Sequence, residues 1–401
     1  MKAIQFPAQI TNALRGSRLS RRHFLQQSGA LVITLGAAGA AVPLVAQGAE
    51  TGAAGPYPDP DFRQLDTWIV IHPDNSATFF VGKTDGGQGT GTAFRQMMCD
   101  ELDIAFERTQ LVMGSTDTTP DQGGSGGSDA IERDGWPMRR VAAEARRVLL
   151  ELGSEHLGAP VSLLTVADAT IVHREDAAKR VTYAGLLRGR RFNVALSGRN
   201  VDAVTGEAPL KPVQALRVAG QPLPRYDIPP KVDGTQAWAV DIKVPGMLHA
   251  RNVRPPHAGA TLQSVDESSV ADVPGLVRIV RRGNYLAVVC EREENAIRAA
   301  RQLRTEWKRP DNAPFPRSTD LFDYMRRATP TFEAPPQVTG DPDSAFTDAA
   351  RVIEAEYAIP FQGHNAIGPA HALADPSNGQ LTIYSNDMKS YGLRTGVASF
   401  L

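Results

Sequence analysis

Cysteine is nearly absent from this chain: only Cys99 and Cys290 occur in 401 residues. They are far apart and neither has a nearby Cys or His, which excludes a disulfide-built scaffold and a cysteine-type zinc site. Two thiols are also too few for an iron–sulfur cluster, so no such cluster belongs to this chain and any that is needed comes from a partner. Both cysteines read as small buried hydrophobes. Basic runs are missing as well. With a formal net charge of −1 and no Lys/Arg tract or basic–aromatic interleaving beyond the N-terminus, the chain offers no field for nucleic acid.

Acidic residues are missing from one place in particular. Residues 1–48 hold Lys2, Arg15, Arg18, Arg21 and Arg22 and no Asp or Glu. Ser20-Arg21-Arg22-His23-Phe24-Leu25 is a twin-arginine pattern, and the uncharged Ala/Gly-rich run from Gln26 to Gly48 follows it. The expectation is a signal peptide that exports an already folded protein to the periplasm. A membrane anchor is the alternative, because the run is nearly long enough to span a bilayer. Gly36, Gly39, Pro43 and Gln47 dilute it, and Ala46-Gln47-Gly48 offers small residues for cleavage.

What is present is globular in composition. At 42% hydrophobic and 22% charged residues, the chain can bury the cores of two or three domains. A Pro/Gly-rich linker over 49–63 leads to Trp68–Ile71 and Ala77–Val81, which read as a hairpin about Pro73-Asp74-Asn75. A glycine-rich loop, Gly82–Gly91, comes next. The following segment spaces Phe94, Met97, Met98 and Leu102 as a helix does, ahead of a strand over Gln110–Met113. A second glycine-rich stretch, Ser115–Asp129, precedes a long helix that carries Val141, Ala145, Val148, Leu149 and Leu152 on one face.

Short strands and turns over Val161–Lys211 close a first domain, 64–212. Residues 218–308 read as a small α+β domain, with strands over Ala237–Ile242, Met247–Val253, Val277–Arg281 and Tyr285–Cys290 and a closing helix. A Pro-rich linker spans 309–342, and residues 343–401 begin a third unit. In that unit Ala350–Ile359 and Gln380–Tyr384 read as strands, and Ser390–Leu401 reads as a helix that stops without a cap. The chain is therefore expected to be incomplete.

Gly86-Gly87-Gln88-Gly89 is the strongest local signal. Glycines let backbone N–H groups approach an anionic or polar ligand, and a helix N-terminus adds its dipole. No Gly-Lys-Ser/Thr follows, so this is not a phosphate-binding P-loop, and it is not a dinucleotide fingerprint.

Several segments read together resemble one family: Asp85–Gly89, Asp100-Glu101-Leu102-Asp103, Val112–Asp121 and Gly123–Ser128. They resemble the molybdopterin-binding large subunits of xanthine dehydrogenase/aldehyde oxidase-type molybdenum hydroxylases. The exported branch of isoquinoline 1-oxidoreductase and nicotinate dehydrogenase large subunits is the most similar. The resemblance implies that Gly87, Gln88, Gly89, Ser125, Gly126 and Ser128 bind a molybdenum–molybdopterin cofactor, in its cytosine dinucleotide form. It implies a multidomain α+β fold: a molybdopterin-binding domain, a small hammerhead domain and the start of a further molybdopterin-binding domain.

Asp227–Gly234, Val244–Leu248 and Arg254–Ala258 are similar to the hammerhead, and Tyr357–Pro369 to the opening of the main catalytic domain. There His364 and Gly368 are expected on the substrate side. Many relatives place a glutamate where Gly368 stands, which points away from purine-like substrates and toward aldehydes or other heteroaromatics.

Met388 stands where relatives usually carry a glutamine that hydrogen-bonds an oxo ligand of the metal. A thioether cannot donate a hydrogen bond. Either the register is shifted by a residue or the metal site is altered. The glutamate that serves the family as base would lie beyond Leu401, so no residue here is assigned as catalytic. The implied function is hydroxylation of an aldehyde or N-heteroaromatic small molecule with water-derived oxygen. Electrons would pass to a small [2Fe–2S] subunit and on to a c-type cytochrome. A truncated, inactive exported remnant or binding protein of the same fold is the alternative.

Overall fold

Two short β-rich segments joined through a helix build the framework that carries the glycine-rich loops. The computed structural model describes residues 60–312, 315–363, 368–376 and 381–401, which divide into two compact units, 60–242 with 370–401 and 243–369. Arg21, Arg22 and the rest of the leader lie outside the described residues, as does His364. Helices and small sheets are mixed throughout, an α+β composition.

In the first unit β1 (Ile69–Ile71) and β2 (Ala77–Val81) form the expected antiparallel hairpin, Ile69 opposite Phe79. Helix α1 (Thr90–Leu102) follows, then β3 (Thr109–Met113), which pairs with β2 in parallel, Val81 opposite Met113. The parallel pairing decides what comes after it. Chain leaving β2 and chain leaving β3 exit at the same end of the sheet, the end where α/β ligand sites sit. Helix α2 (Gly135–Leu157) carries Pro137 in its first turn and lays Met138, Val141, Ala142, Ala145 and Leu149 into the core against Phe94, Met98 and Leu102 of α1. Trp68, Phe79 and Tyr183 complete that core. The sheet β4 (Leu164–Ala167), β5 (Thr170–His173) and β6 (Arg180–Thr182) and the short α3 (Tyr183–Leu187) close over it.

Residues 211–221 then strap across α1. Buried Asp100 accepts the backbone N–H of Arg217 at 2.7 Å, Val218 at 3.0 Å and Ala219 at 2.6 Å, while the Gln96 amide donates to the carbonyls of Val218 and Gln221. Glu101 joins in, through Arg139 and the amide of Lys211. The acidic Asp100-Glu101 pair is thus a clamp for the strap, which continues into α4 (Ile228–Val232).

The second unit has the sheet order β7 (His249–Asn252), β10 (Tyr285–Cys290), β9 (Leu276–Arg282), and a separate pair of β8 (Thr261–Asp266) with β11 (Arg304–Lys308). Helix α5 (Glu293–Gln302) packs Ala296 and Ala299 on Val288 and Cys290. Two short helices, α6 (Leu321–Arg327) and α7 (Pro342–Asp348), punctuate the Pro-rich stretch.

Two expected strands do not form. Ala239–Asp241 is a 3₁₀ turn, closed where the Asp241 carboxylate accepts the Trp238 N–H at 2.9 Å. Residues 350–359 have no ladder partner among the described residues and leave Ile353, Tyr357 and Ile359 exposed. Strand-like text makes a strand only where a neighbour supplies the other half of the hydrogen bonds. The chain then returns to the first unit with the antiparallel pair β12 (Ala372–Asp375) and β13 (Thr382–Ser385) and helix α8 (Ser390–Phe400). Cys99 and Cys290 are both free and buried.

Candidate cofactor-binding site

The loop between β2 and α1 is organised by one carboxylate. Asp85 Oδ1 accepts the N–H of Gly87 at 2.8 Å and of Gly89 at 3.1 Å, and Oδ2 accepts the N–H of Gly91 at 3.0 Å. Wrapping the chain about one side chain needs φ of 106° at Gly87 and 86° at Gly89, which a Cβ would oppose. Asp85 thereby caps the start of α1, where donors are otherwise unpaired and the dipole favours negative charge. The sequence pattern assigns these glycine amides to a ligand. In the structure Asp85 holds those of Gly87 and Gly89, and what the loop leaves open is its outer face, where Gly86 and the Gln88 side chain are exposed.

The second loop, leaving β3, is stitched to the first. Gly82 N–H donates to Gln122 Oε1 at 2.8 Å, and Thr84 N–H donates to Ser125 Oγ at 2.8 Å. Lys83, 1% exposed, donates to the Gly124 carbonyl at 3.1 Å and lies 2.9 Å from the equally buried Asp134, an ion pair outside directed hydrogen-bond geometry. Ser125 is buried, while Gly126 and Ser128 stand exposed beyond it, Ser128 at φ 61°.

A third segment converges on both loops. Ser125 N–H donates to the Met388 carbonyl at 2.8 Å. A Cβ on Gly86 would come within 3.0 Å of Met388 Cε and 3.3 Å of Gln88 Oε1, so glycine there admits both side chains. The stem of Lys389 lies so close over Gly124 that a Cβ would stand 2.5 Å from its Cγ. The Tyr391 hydroxyl donates to the Thr119 carbonyl, and Arg394 donates to the Thr116 carbonyl at 3.0 Å. From the strap, Arg225 approaches Gly89 and pairs with Asp227 at 2.7 Å, and Lys231 pairs with the same carboxylate at 2.5 Å. Hydrogen bonds from Arg225, and then from Lys231, hold the Asp227 carboxyl far below the usual carboxylate range. Burial pushes Asp117 in the second loop the other way.

The donors left over test whether a pterin fits. Among the described residues the Gln122 amide nitrogen and the hydroxyls of Thr90, Thr92 and Thr118 are buried without a hydrogen-bond partner, and Gln122 is only 3% exposed. All four belong to the second loop or to the first turn of α1. Buried polar groups are rarely left unmatched, because each costs about 1–3 kcal/mol. A group rich in acceptor oxygens, as a phosphorylated pterin is, fits this set together with the nearby Lys389 and Arg225.

Of the residues singled out in the sequence, Gly87, Gln88, Gly89, Ser125, Gly126 and Ser128 all belong to this one region, with Met388 beside them. Gly368 lies in the second unit, exposed, with nothing within 4 Å of an added Cβ. Sequence reasoning missed Lys83, Asp85, Asp134 and Arg225. The signal for the first two was the run Lys83-Thr84-Asp85 directly ahead of the glycines.

Comparison with known proteins bears on the same region. Two families described as molybdopterin cofactor-binding domains match residues 36–212 and 327–401. The chain is 33% identical over 357 residues to a nicotinate dehydrogenase subunit of Pseudomonas putida, covering 87% of this chain and 29% of that protein. It is 30% identical to the beta chain of isoquinoline 1-oxidoreductase from Brevundimonas diminuta, covering 74% and 41%. To the membrane-bound aldehyde dehydrogenase [pyrroloquinoline-quinone] of Gluconacetobacter polyoxogenes it is 27% identical, covering 80% and 42%. The chain thus spans less than half the length of these curated relatives.

Proposed function

We propose that this chain, which belongs to the large-subunit type of the molybdenum hydroxylases, holds a molybdenum–molybdopterin cofactor between its two glycine-rich loops and the 386–391 segment. When bound, the cofactor supplies the redox metal at which a substrate C–H bond is hydroxylated with oxygen from water. Everything else is the work of the protein. Gln88, Gly126 and Ser128 line the exposed face of the loops, Ser125 fixes the second loop to the third segment, and Lys389 and Arg225 balance the charge of a phosphate tail. The observation that carries this reading is the convergence of three segments distant in sequence, supported by buried donors without partners in the second loop and the first turn of α1.

The finer reading is a cytosine dinucleotide form of the cofactor and an aldehyde or N-heteroaromatic substrate, with His364 and Gly368 on the substrate side. Electrons pass to a separate small [2Fe–2S] subunit and then to a c-type cytochrome. Arg21 and Arg22 direct twin-arginine export to the periplasm. Residues 64–212 form a molybdopterin-binding domain, 218–308 the hammerhead, and 343–401 begin the main catalytic domain. A second reading, an exported binding protein of the same fold without catalysis, is favoured by Met388, whose thioether cannot donate a hydrogen bond.

Elemental mass spectrometry and oxidised-pterin fluorescence on the periplasmic protein, with its co-purifying chains, separate the two. Stoichiometric molybdenum and pterin, an iron-bearing partner, and ¹⁸O from labelled water in the product are expected. Folded protein with neither molybdenum nor pterin overturns the cofactor assignment; cofactor without turnover favours the second reading.

A further inference from the structure

Lys83 is almost fully enclosed, an uncommon state for a lysine, and sits where three parts of the site meet. It belongs to the first loop, donates to the Gly124 carbonyl of the second at 3.1 Å, and is neutralised by Asp134, the residue that leads into α2, at 2.9 Å. Arg133 stands 3.4 Å from the other oxygen of Asp134. A buried pair of this kind adds little net stability compared with apolar side chains of the same size, because desolvation offsets the attraction. What it does supply is placement: a carboxylate that keeps the ammonium enclosed beside it leaves that ammonium to donate to one carbonyl.

We propose that Lys83 and Asp134 are positioning residues that set the second glycine-rich loop against the first, so that the molybdopterin cradle depends on a buried ion pair. Asp134 holds the ammonium, the ammonium holds Gly124, and Gly124 carries Ser125 to its contacts with Thr84 and Met388. The other stitches, at Gly82–Gln122 and Thr84–Ser125, are neutral hydrogen bonds. Only this one is charge-assisted. The proposal rests on the cofactor reading above.

The test is a double substitution in the full chain, read by melting temperature, by hydrogen exchange at 122–128, and by retained molybdenum and pterin. K83M alone leaves buried Asp134 with Arg133 near only one of its oxygens and is expected to lower the melting temperature. K83M/D134L removes both charges and is expected to return it close to the wild-type value. If the pair positions the loop, the double variant still exchanges at 122–128 at least tenfold faster than wild type and keeps less than a fifth of the cofactor. Wild-type exchange and wild-type cofactor content in that variant would show that the pair only stabilises the fold. Should the double variant fail to fold, Lys83→Arg keeps a charge for Asp134 while displacing the donor from Gly124: accelerated exchange at 122–128 supports the proposal, and unchanged exchange overturns it. Wild-type protein free of molybdenum and pterin would defeat the cofactor reading, yet the exchange measurements would still decide the role of the pair.

Discussion

Replacing Asp85 with alanine should open the Gly86–Gly91 loop while leaving the rest of the first unit intact. Three backbone N–H groups lose their acceptor, at 2.8, 3.1 and 3.0 Å. A hydrogen bond to a charged acceptor contributes about 1.5–3 kcal/mol when buried, but this loop is half-exposed and its freed amides reach water, so the total is about 2–3 kcal/mol. At 1.4 kcal/mol per decade, that corresponds to roughly 30- to 150-fold faster exchange of the Gly87, Gly89 and Gly91 amides. Asp85→Asn keeps one acceptor oxygen and should fall between the two. Hydrogen exchange resolved by residue reads this directly, with the amides of β1 and β2 as an internal control. Unchanged exchange at all three glycines would refute the idea that one carboxylate organises the loop. An equal rise across β1 and β2 would show that Asp85 holds the fold rather than the loop.

Three further outcomes are expected. Asp100→Ala frees the amides of Arg217, Val218 and Ala219, and limited proteolysis should then cut within 211–224 well below the global melting temperature; an unchanged cleavage pattern would remove the clamp. In Gly82→Ala the new Cβ would stand 1.8 Å from the Pro120 carbonyl oxygen, a backbone atom with little room to yield, and a loss of about 3 kcal/mol, or roughly 6–12 °C, should follow. Burial pushes the Cys99 thiol up to about 12, above its ordinary 9.0, so its contribution to stability is complete below pH 9 and is lost between pH 9 and 12. Tyr183, also raised by burial, adds to the same alkaline loss. Melting curves from pH 8 to 11 should be shallower for Cys99→Ala than for wild type, and coincident slopes would contradict the assignment.

Much of the local structure is legible in the residues themselves. Phe94, Met98 and Leu102 at helical spacing place α1, and Pro137 places the start of α2, because spacing and capping act within a few residues. Short apolar runs rich in β-branched and aromatic residues place β2 and β10. The missed strands mark the boundary of such reasoning. Residues 350–359 have the composition of a strand without a neighbour, and Arg304–Lys308 forms β11 because β8 lies beside it. The role of Asp85, though not its place in the motif, was hidden for a related reason: a carboxylate ahead of glycines reads equally well as a solvated side chain until the turn that wraps around it is known.

The sequence alone determined that two glycine-rich loops each precede a helix, and it pointed to the residue types that suit a phosphorylated pterin. Whether those loops meet depends on the parallel pairing of β2 with β3, which no local pattern specifies, since the same residues suit a strand whether its neighbour runs with it or against it. The seat of Met388, Lys389 and Tyr391 on both loops likewise depends on the return of residues 370–401 to the first unit. Turns and helix starts follow from short-range backbone sterics and hydrogen bonding. The burial of Lys83, and with it the register of the two loops, follows from which distant groups fold around it.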